Sequence, residues 1–302
     1  MNIKYQLSTN VTLDYAFANL AYMTFPDIRK KAVSHNYKNP LLGVVARDEQ
    51  KVAGLLLAEF DKKHIVSEII TLYVKPEYRK TGIGSTLLKH AQKALFSSGY
   101  KELHIVYWSN WKYSGTVVNL LDKLGWEKPE NLMKIYKTNR KKQEKIKWPA
   151  SLELPAGYEI FFWKDLTLEE RRQLKESQQQ TPWIDPGFDP FKNERHIETL
   201  NSIGLKYQGN IIGWIITYRN QPDSVEYNNL FIHPEYRAGL TVPVYLLKES
   251  IGLQLKSGPE NFIWIIGEGN TGMHIFAARY LNQLIEEEIN VFRRMKLDID
   301  DQ

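Results

Sequence analysis

Hydrophobic and polar positions follow one another in two similar series along the chain. In the first series, Leu41–Arg47 and Val52–Phe60 are near-continuous apolar runs split by Asp48-Glu49-Gln50. Runs of that length around a polar break predict a β-hairpin. Ile65–Val74 predicts a third strand, ended by Pro76. From Gly82 to Ser97 the period lengthens. Ile83, Leu87, Leu88, Ala91, Ala94 and Leu95 fall on one helical face, and Lys89, His90, Gln92 and Lys93 on the other. Ser98-Gly99 stops that helix. Glu102–Trp108 reads as a strand, Gly115–Leu124 as a helix closed by Gly125, and Met133–Lys137 as a last strand. A helical stretch around Tyr15–Val33 precedes them all.

The second series has the same order. Its predicted strands are Ile203–Tyr207, Ile211–Tyr218, Val225–Ile232, Phe262–Ile266 and Asn290–Met295. Its long helix starts near Pro243, with Val244, Leu247, Ile251 and Leu255 as the apolar stripe. The two series are also alike residue by residue. Glu68-Ile-Ile-Thr-Leu-Tyr-Val-Lys-Pro-Glu-Tyr-Arg79 and Glu226-Tyr-Asn-Asn-Leu-Phe-Ile-His-Pro-Glu-Tyr-Arg237 share Glu, Leu, Pro, Glu, Tyr and Arg at an offset of 158 residues (226 minus 68). Upstream, Lys51-Val-Ala-Gly54 matches Asn210-Ile-Ile-Gly213 at an offset of 159 (213 minus 54). A repeat this long is a duplicated domain, not a solenoid.

The expected organisation is a mixed α/β (α+β) chain of two tandem domains. Each is a mixed, mostly antiparallel twisted sheet flanked by helices. They span 1–138 and 157–302, and residues 139–156 join them. The basic residues Arg140, Lys141, Lys142, Lys145 and Lys147, followed by Pro149 and Pro155, read as a solvated linker.

Composition narrows the chemistry. The 302 residues contain no cysteine, which excludes disulfides, a thiol nucleophile and thiolate metal sites. The seven histidines show no paired metal spacing, so no metal is expected. Lys plus Arg is 40 against 35 Asp plus Glu, a net charge of +5, which is too modest to call for nucleic acid. No apolar run approaches the ~20 residues of a bilayer span, and the first residues lack a signal-peptide core. A cytoplasmic protein without a membrane partner is expected.

The chemistry-bearing segment is Arg79-Lys80-Thr81-Gly82-Ile83-Gly84, between a strand and a helix. Glycines let the backbone turn sharply and approach a ligand. Unpaired N–H groups at the helix start favour anions, and Arg79 and Lys80 add positive charge. This is a diphosphate cradle in physical terms. It matches neither a Walker loop nor a Gly-x-Gly-x-x-Gly fingerprint.

Pro76-Glu-Tyr-Arg79-x-x-Gly82-x-Gly84, between a hydrophobic strand and an amphipathic helix, resembles the acetyl-CoA motif of the GNAT superfamily of N-acetyltransferases, Arg/Gln-x-x-Gly-x-Gly/Ala. Gly125-Trp126 resembles that family's Leu-Gly-Phe. The resemblance spans about 1–138 and, more weakly, about 156–300. It implies direct transfer of an acetyl group from acetyl-CoA to the amine of a small molecule or peptide. It implies that Leu72, Tyr73 and Val74 lie along the pantetheine arm. Arg79, Lys80, Thr81, Gly82, Ile83 and Gly84 would hold the diphosphate, with Ser85 in the first helical turn. Glu68 stands where the histone-acetyltransferase branch has its general base. The usual thiolate-protonating Tyr falls on Leu121, and the CoA-contacting Asn on Ser114, with Asn110 as the alternative and Tyr113 close by. Tyr15, Phe17, Tyr22 and Phe25 lie on the expected acceptor side. Copy two departs from the motif: Arg237-Ala-Gly239-Leu-Thr-Val242-Pro243 keeps one displaced glycine, and Val242 is expected to crowd the cradle. Copy two is therefore expected to bind CoA poorly. Its Trp183, Asp185 and Asp189 form an aromatic and acidic loop that either meets a cationic amine or packs on its own domain. The gap at Leu121 leaves a non-catalytic CoA-binding protein as an alternative, and the basic linker an RNA-associated acyltransferase.

Overall fold

The computed structural model describes residues 2–8, 20–33, 39–60, 65–180, 182–237 and 239–298. It divides into unit 1, residues 1–132 with 291–302, and unit 2, residues 133–290.

Unit 1 is built on strands β1 (Ile3–Ser8), β2 (Leu41–Asp48), β3 (Lys51–Phe60), β4 (Val66–Val74) and β5 (Glu102–Trp108). Neighbours pair in that order, antiparallel except for β4 with β5, which are parallel. Helix α1 (Pro26–Val33) precedes β2, α2 (Ile83–Ser97) follows β4, and α3 (Ser114–Lys123) follows β5. Both faces of the sheet are covered, which is why Leu55, Leu56 and Leu57 in succession are all fully buried. Leu56 packs with Ile83, Leu87, Leu88 and Leu95 of α2, whereas Leu55 and Leu57 meet Leu20 and Met23. Tyr15 and Phe17 lie outside the described residues.

The sixth strand of unit 1 is not the one that follows it in sequence. β12 (Glu287–Leu297) pairs antiparallel with β5, from Val291↔Trp108 to Leu297↔Glu102. The strand after α3, β6 (Glu130–Asn139), instead enters unit 2 from Met133 onward and pairs antiparallel with β11, from Met133↔Gly267 to Asn139↔Asn261. The division at 138 read from the sequence therefore differs from the structure: 133–138 belong to unit 2, and 291–297 belong to unit 1. Alternating apolar positions make a strand but do not name its partner. Polar anchors fix the choice. Arg294, 2% exposed, donates from Nε to Glu127 O (2.6 Å), from Nη2 to Trp126 O (2.9 Å) and from Nη1 to Asp122 Oδ1 (2.6 Å). It thereby satisfies carbonyls at and beyond the end of α3.

Unit 2 repeats the plan with β7 (Tyr158–Phe162), β8 (Ile203–Tyr207), β9 (Asn210–Gln221), β10 (Ser224–Ile232) and β11 (Asn261–Gly267). Its neighbours pair antiparallel except β10 with β11. Helices α4 (Leu168–Gln180), α5 (Thr241–Ser257) and α6 (Thr271–Phe276) complete it. The 139–156 segment is not a solvated linker. Arg140 donates to Gly258 O (2.7 Å), Gln254 O (3.3 Å) and Leu255 O, covering the C-terminus of α5. Trp148 stacks on Tyr280 at 5.6 Å, and Leu152 is buried in the core.

The repeated glycines have a steric cause. A Cβ on Gly54 would stand 3.0 Å from Tyr73 O, and one on Gly213 would stand 2.6 Å from Phe231 O. In each unit the middle strand passes against the backbone of the strand that carries the Pro-Glu-Tyr-Arg segment.

Candidate acyl-transfer site

The site of unit 1 begins where two strands part. β4 and β5 pair from Val66↔Glu102 to Ile69↔Ile105 and no further, although β4 runs on to Val74 and β5 to Trp108. Leu57 faces Thr71 and Ala58 faces Ile69, so Ile70 is bulged out of the β3 ladder. The opening holds a cavity of about 300 Å³, with Ile70, Leu72, Tyr73, Val106, Trp111 and Phe25 among its walls. On this open side the backbone of β4 faces no strand, which suits it to pair with an extended ligand.

Beyond Val74 the chain makes the cradle. Arg79 donates from Nε to Val74 O (3.0 Å) and from Nη1 to Tyr113 Oη (2.8 Å). That bond holds the exposed Tyr113 hydroxyl below its usual pKa. Lys80 is exposed and left-handed (φ 63°), and Thr81 Oγ1 clips the loop by donating to Tyr78 O at 2.6 Å. Gly82, at φ 87°, caps α2. The first helical hydrogen bond is Thr86 N–H to Gly82 O, so the N–H groups of Ile83, Gly84 and Ser85 precede the ladder. A Cβ on Gly82 would meet nothing within 4 Å, so the outer side of the loop is open to a ligand. Donors, cation and open space together fit a diphosphate. Ile83 itself is buried in the core, and only its backbone can serve the cradle.

Glu68 lies one residue before the cavity wall, which starts at Ile69. It faces Glu59 on β3 and His104 on β5. Its pKa is raised, first by desolvation and then by Glu59, with His104 and Arg293 opposing. Arg293 arrives on β12, a neighbour the linear sequence gave no means to foresee. Asn110 is exposed and Ser114 Oγ donates to Ser109 O (3.1 Å); neither lines the cavity. Leu121 is fully buried in the core.

Unit 2 repeats the opening. β10 and β11 pair as far as Tyr227↔Trp264, Asn228 is bulged, and Arg237 Nε donates to Ile232 O (3.0 Å) as Arg79 does to Val74. The cradle is poorer. Leu240 caps α5 in a right-handed conformation, and Pro243 removes an N–H before the first helical bond, Val244 N–H to Leu240 O. Val242 does not crowd it: its side chain is fully buried, like that of Ile83. The cavity here is larger, about 620 Å³, between Arg237, Leu240, Phe276, Arg279 and Tyr280. Tyr280 occupies, at the 159-residue offset, the place of Leu121. It sits in a π-helical turn, Ala277–Leu281. The 159-residue repeat offset is the signal in the sequence that points to it. Trp183 packs on Phe231 (5.6 Å) and Trp214 (6.1 Å), and Asp185 and Asp189 accept from Gly187 N–H and Phe191 N–H within their own loop. Asp189 also borders a third cavity of about 400 Å³.

A six-stranded sheet with one parallel, diverging pair and a loop-to-helix turn at its tip, made twice, defines a duplicated α/β fold. Residues 14–113 match the family model "Acetyltransferase (GNAT) family". That match covers the N-terminal third of the chain, and over its full length the chain has the fold of a tandem of two GNAT domains. No curated protein sequence matches it. Among solved structures it is similar to a tandem GNAT protein from the clavulanic acid biosynthesis pathway, with TM-score 0.63 and 15% identity over 97% of this chain and 98% of that one. It is also similar to a GCN5-related N-acetyltransferase from Sphaerobacter thermophilus, with TM-score 0.54 and 13% identity over 97% and 96%. A third is the GCN5-related glucosamine N-acetyltransferase region of a fungal multi-domain GH3 β-N-acetylglucosaminidase, with TM-score 0.63 and 14% identity over 98% of this chain and 38% of that one. At these identities the likeness is one of fold. Among the described residues, no cluster of three or more His, Asp or Glu is placed to hold a metal, and no helix is long and apolar enough to cross a membrane.

Proposed function

We propose that the protein is a cytoplasmic, acetyl-CoA-dependent N-acetyltransferase whose reaction runs in unit 1. The observation that carries this is the complete cradle, Arg79 to Ser85, at the mouth of the β4/β5 opening. Acetyl-CoA, when bound, supplies the acetyl thioester. The N–H groups of Ile83, Gly84 and Ser85, with Arg79 and Lys80, hold its diphosphate. The open edge of Leu72, Tyr73 and Val74 aligns the pantetheine arm.

An alkyl amine with a pKa near 10.4 is protonated at pH 7, and making it neutral costs roughly 4–5 kcal/mol. Glu68, one residue outside the cavity wall, takes that proton through a water. The amine lone pair forms the C–N bond as the C–S bond breaks, and the released proton ends on sulfur. With Leu121 in the core, solvent delivers it.

The test is acetyl-CoA-dependent release of CoA thiol in the presence of amines. Arg79→Ala is expected to weaken acetyl-CoA binding about 10- to 100-fold, the loss of one charge-assisted contact, with titration calorimetry as the readout. Binding without turnover on any amine would favour the non-catalytic alternative. RNA binding with a steep salt dependence would favour the RNA-associated one. A second reading has one observation behind it: the 620 Å³ cavity of unit 2 with Arg237 and Tyr280 on its wall. It predicts two acetyl-CoA molecules per chain instead of one.

A further inference from the structure

Resting on the reading of unit 1 as an amine acetyltransferase, we infer that its acceptor is an arylalkylamine: a primary amine on a short chain carrying an aromatic ring. The inference comes from the wall of the 300 Å³ cavity. Phe25 and Trp111 stack with centroids 5.8 Å apart and 27° between their planes, and Trp108 backs Trp111 at 4.9 Å. This makes one continuous aromatic surface from the segment before β2 to the loop after β5. Phe25 and Tyr22 remain 49% and 55% exposed at the rim. Large aromatic side chains left open around a concavity are the informative kind of exposed apolar surface, since a ligand ring can cover them.

The threonine hydroxyls of the wall are already engaged within the protein, and the open β4 backbone edge is the part assigned to the pantetheine arm. Thr24 Oγ1 and Thr71 Oγ1 hydrogen-bond to each other at 2.7 Å, and both residues are buried. At the rim, Lys75 lies over the Tyr22 ring at 5.8 Å, and the hydrogen bond it donates to the Tyr22 hydroxyl raises its pKa. Beyond that edge, the side chains the wall offers an acceptor are mainly ring faces and aliphatic carbon, from Phe25, Trp111, Ile70 and Val106. Ring faces attract an ammonium ion, and the apolar surroundings then favour its neutral form. Both effects serve an amine that must arrive charged and react uncharged. They also fit the position of Glu68 outside the wall, where it removes the proton without forming an ion pair that would hold the amine protonated.

The test compares phenethylamine and tryptamine with spermidine, glucosamine and a lysine peptide, under saturating acetyl-CoA. Phenethylamine or tryptamine is expected to have a kcat/KM at least about tenfold above the others, as removal of a ring-sized apolar contact implies. Phe25→Ala is expected to raise KM for the aryl amine about 10- to 100-fold while leaving the Kd for acetyl-CoA unchanged. Amine binding is followed separately, as quenching of tryptophan fluorescence. Preference for spermidine, glucosamine or the peptide would overturn the inference and leave the acetyltransferase reading standing. Saturable quenching by phenethylamine with no acetylation of any of the amines would support the aromatic site and overturn the acetyltransferase reading. Neither quenching nor turnover with aryl amines, in a protein that acetylates another amine, would likewise overturn the inference.

Discussion

A chain stopped after Glu286 is expected to lose acetyl-CoA binding, although every residue of the cradle is still present. Its unit 1 lacks β12, so β5 becomes an unpaired edge and the carbonyls beyond α3 lose their donor. Exposed strand edges favour aggregation, and buried carbonyls without partners each cost about 1–3 kcal/mol. Residues 1–138, the domain read from the sequence, are expected to fail in the same way. Arg294→Ala isolates the effect in the intact chain. Removing the Arg294 side chain leaves the carbonyls of Trp126 and Glu127 without a donor, at about 1–3 kcal/mol each. A loss of that size lowers Tm on the order of 10 °C in a unit of this length, measured by calorimetry. A 1–138 fragment that melts cooperatively and binds acetyl-CoA as the full chain does would contradict the exchanged strands.

Glu68→Gln is expected to lower kcat about 10²- to 10⁴-fold, the usual contribution of a general base, without lowering Tm at neutral pH. The two expectations have one cause. Desolvation and Glu59 raise the pKa of Glu68 above the ordinary carboxylate value. Between the ordinary value and the raised one, the unfolded chain has already released a proton that the folded chain keeps. Stability therefore falls as pH rises through that window, and the folded protein is at a disadvantage at neutral pH. Glutamine removes that disadvantage. The variant should match or exceed the wild type in Tm at pH 7, and the difference should vanish below the ordinary carboxylate range. The wild-type kcat should rise with pH along an acid limb that Glu68→Gln lacks. A variant that loses Tm along with activity would make Glu68 a structural residue.

Much of the fold could be read from residue periodicity. The β3, β4, β5 and α2 segments, the matching segments of copy two and the Arg-x-x-Gly-x-Gly cradle all follow from local pattern, because each buries a face or turns a corner by itself. The exchange of β6 and β12 could not be read that way. Both strands alternate alike, and the choice rests on Arg294 and Arg140 reaching helix ends far along the chain. Arg140 had the look of linker charge because its acceptors are backbone carbonyls, which a sequence does not display as partners. The polar β1, at the sheet edge, and the charged α4 gave too weak an apolar signal to be predicted. In the site, the cradle was legible, but the aromatic wall was not. Phe25 lies on the expected acceptor side, yet only folding brings Trp111 to it. Tyr280 was hidden because its partner in the repeat, Leu121, is a core residue.

The central claim is that unit 1 holds the acetyl-CoA. Titration calorimetry of acetyl-CoA on the wild type and on Gly82→Val tests it most directly. Valine meets no protein atom at that position, but a β-branched residue is strained at φ 87° and its side chain stands on the ligand side of the loop. The strain of a left-handed residue is about 1–2 kcal/mol, so a cooperative melt confirms that the variant is folded. The expected result is one site in the wild type and none in the folded variant. One site of unchanged affinity in Gly82→Val would place the cofactor in unit 2 and contradict the account.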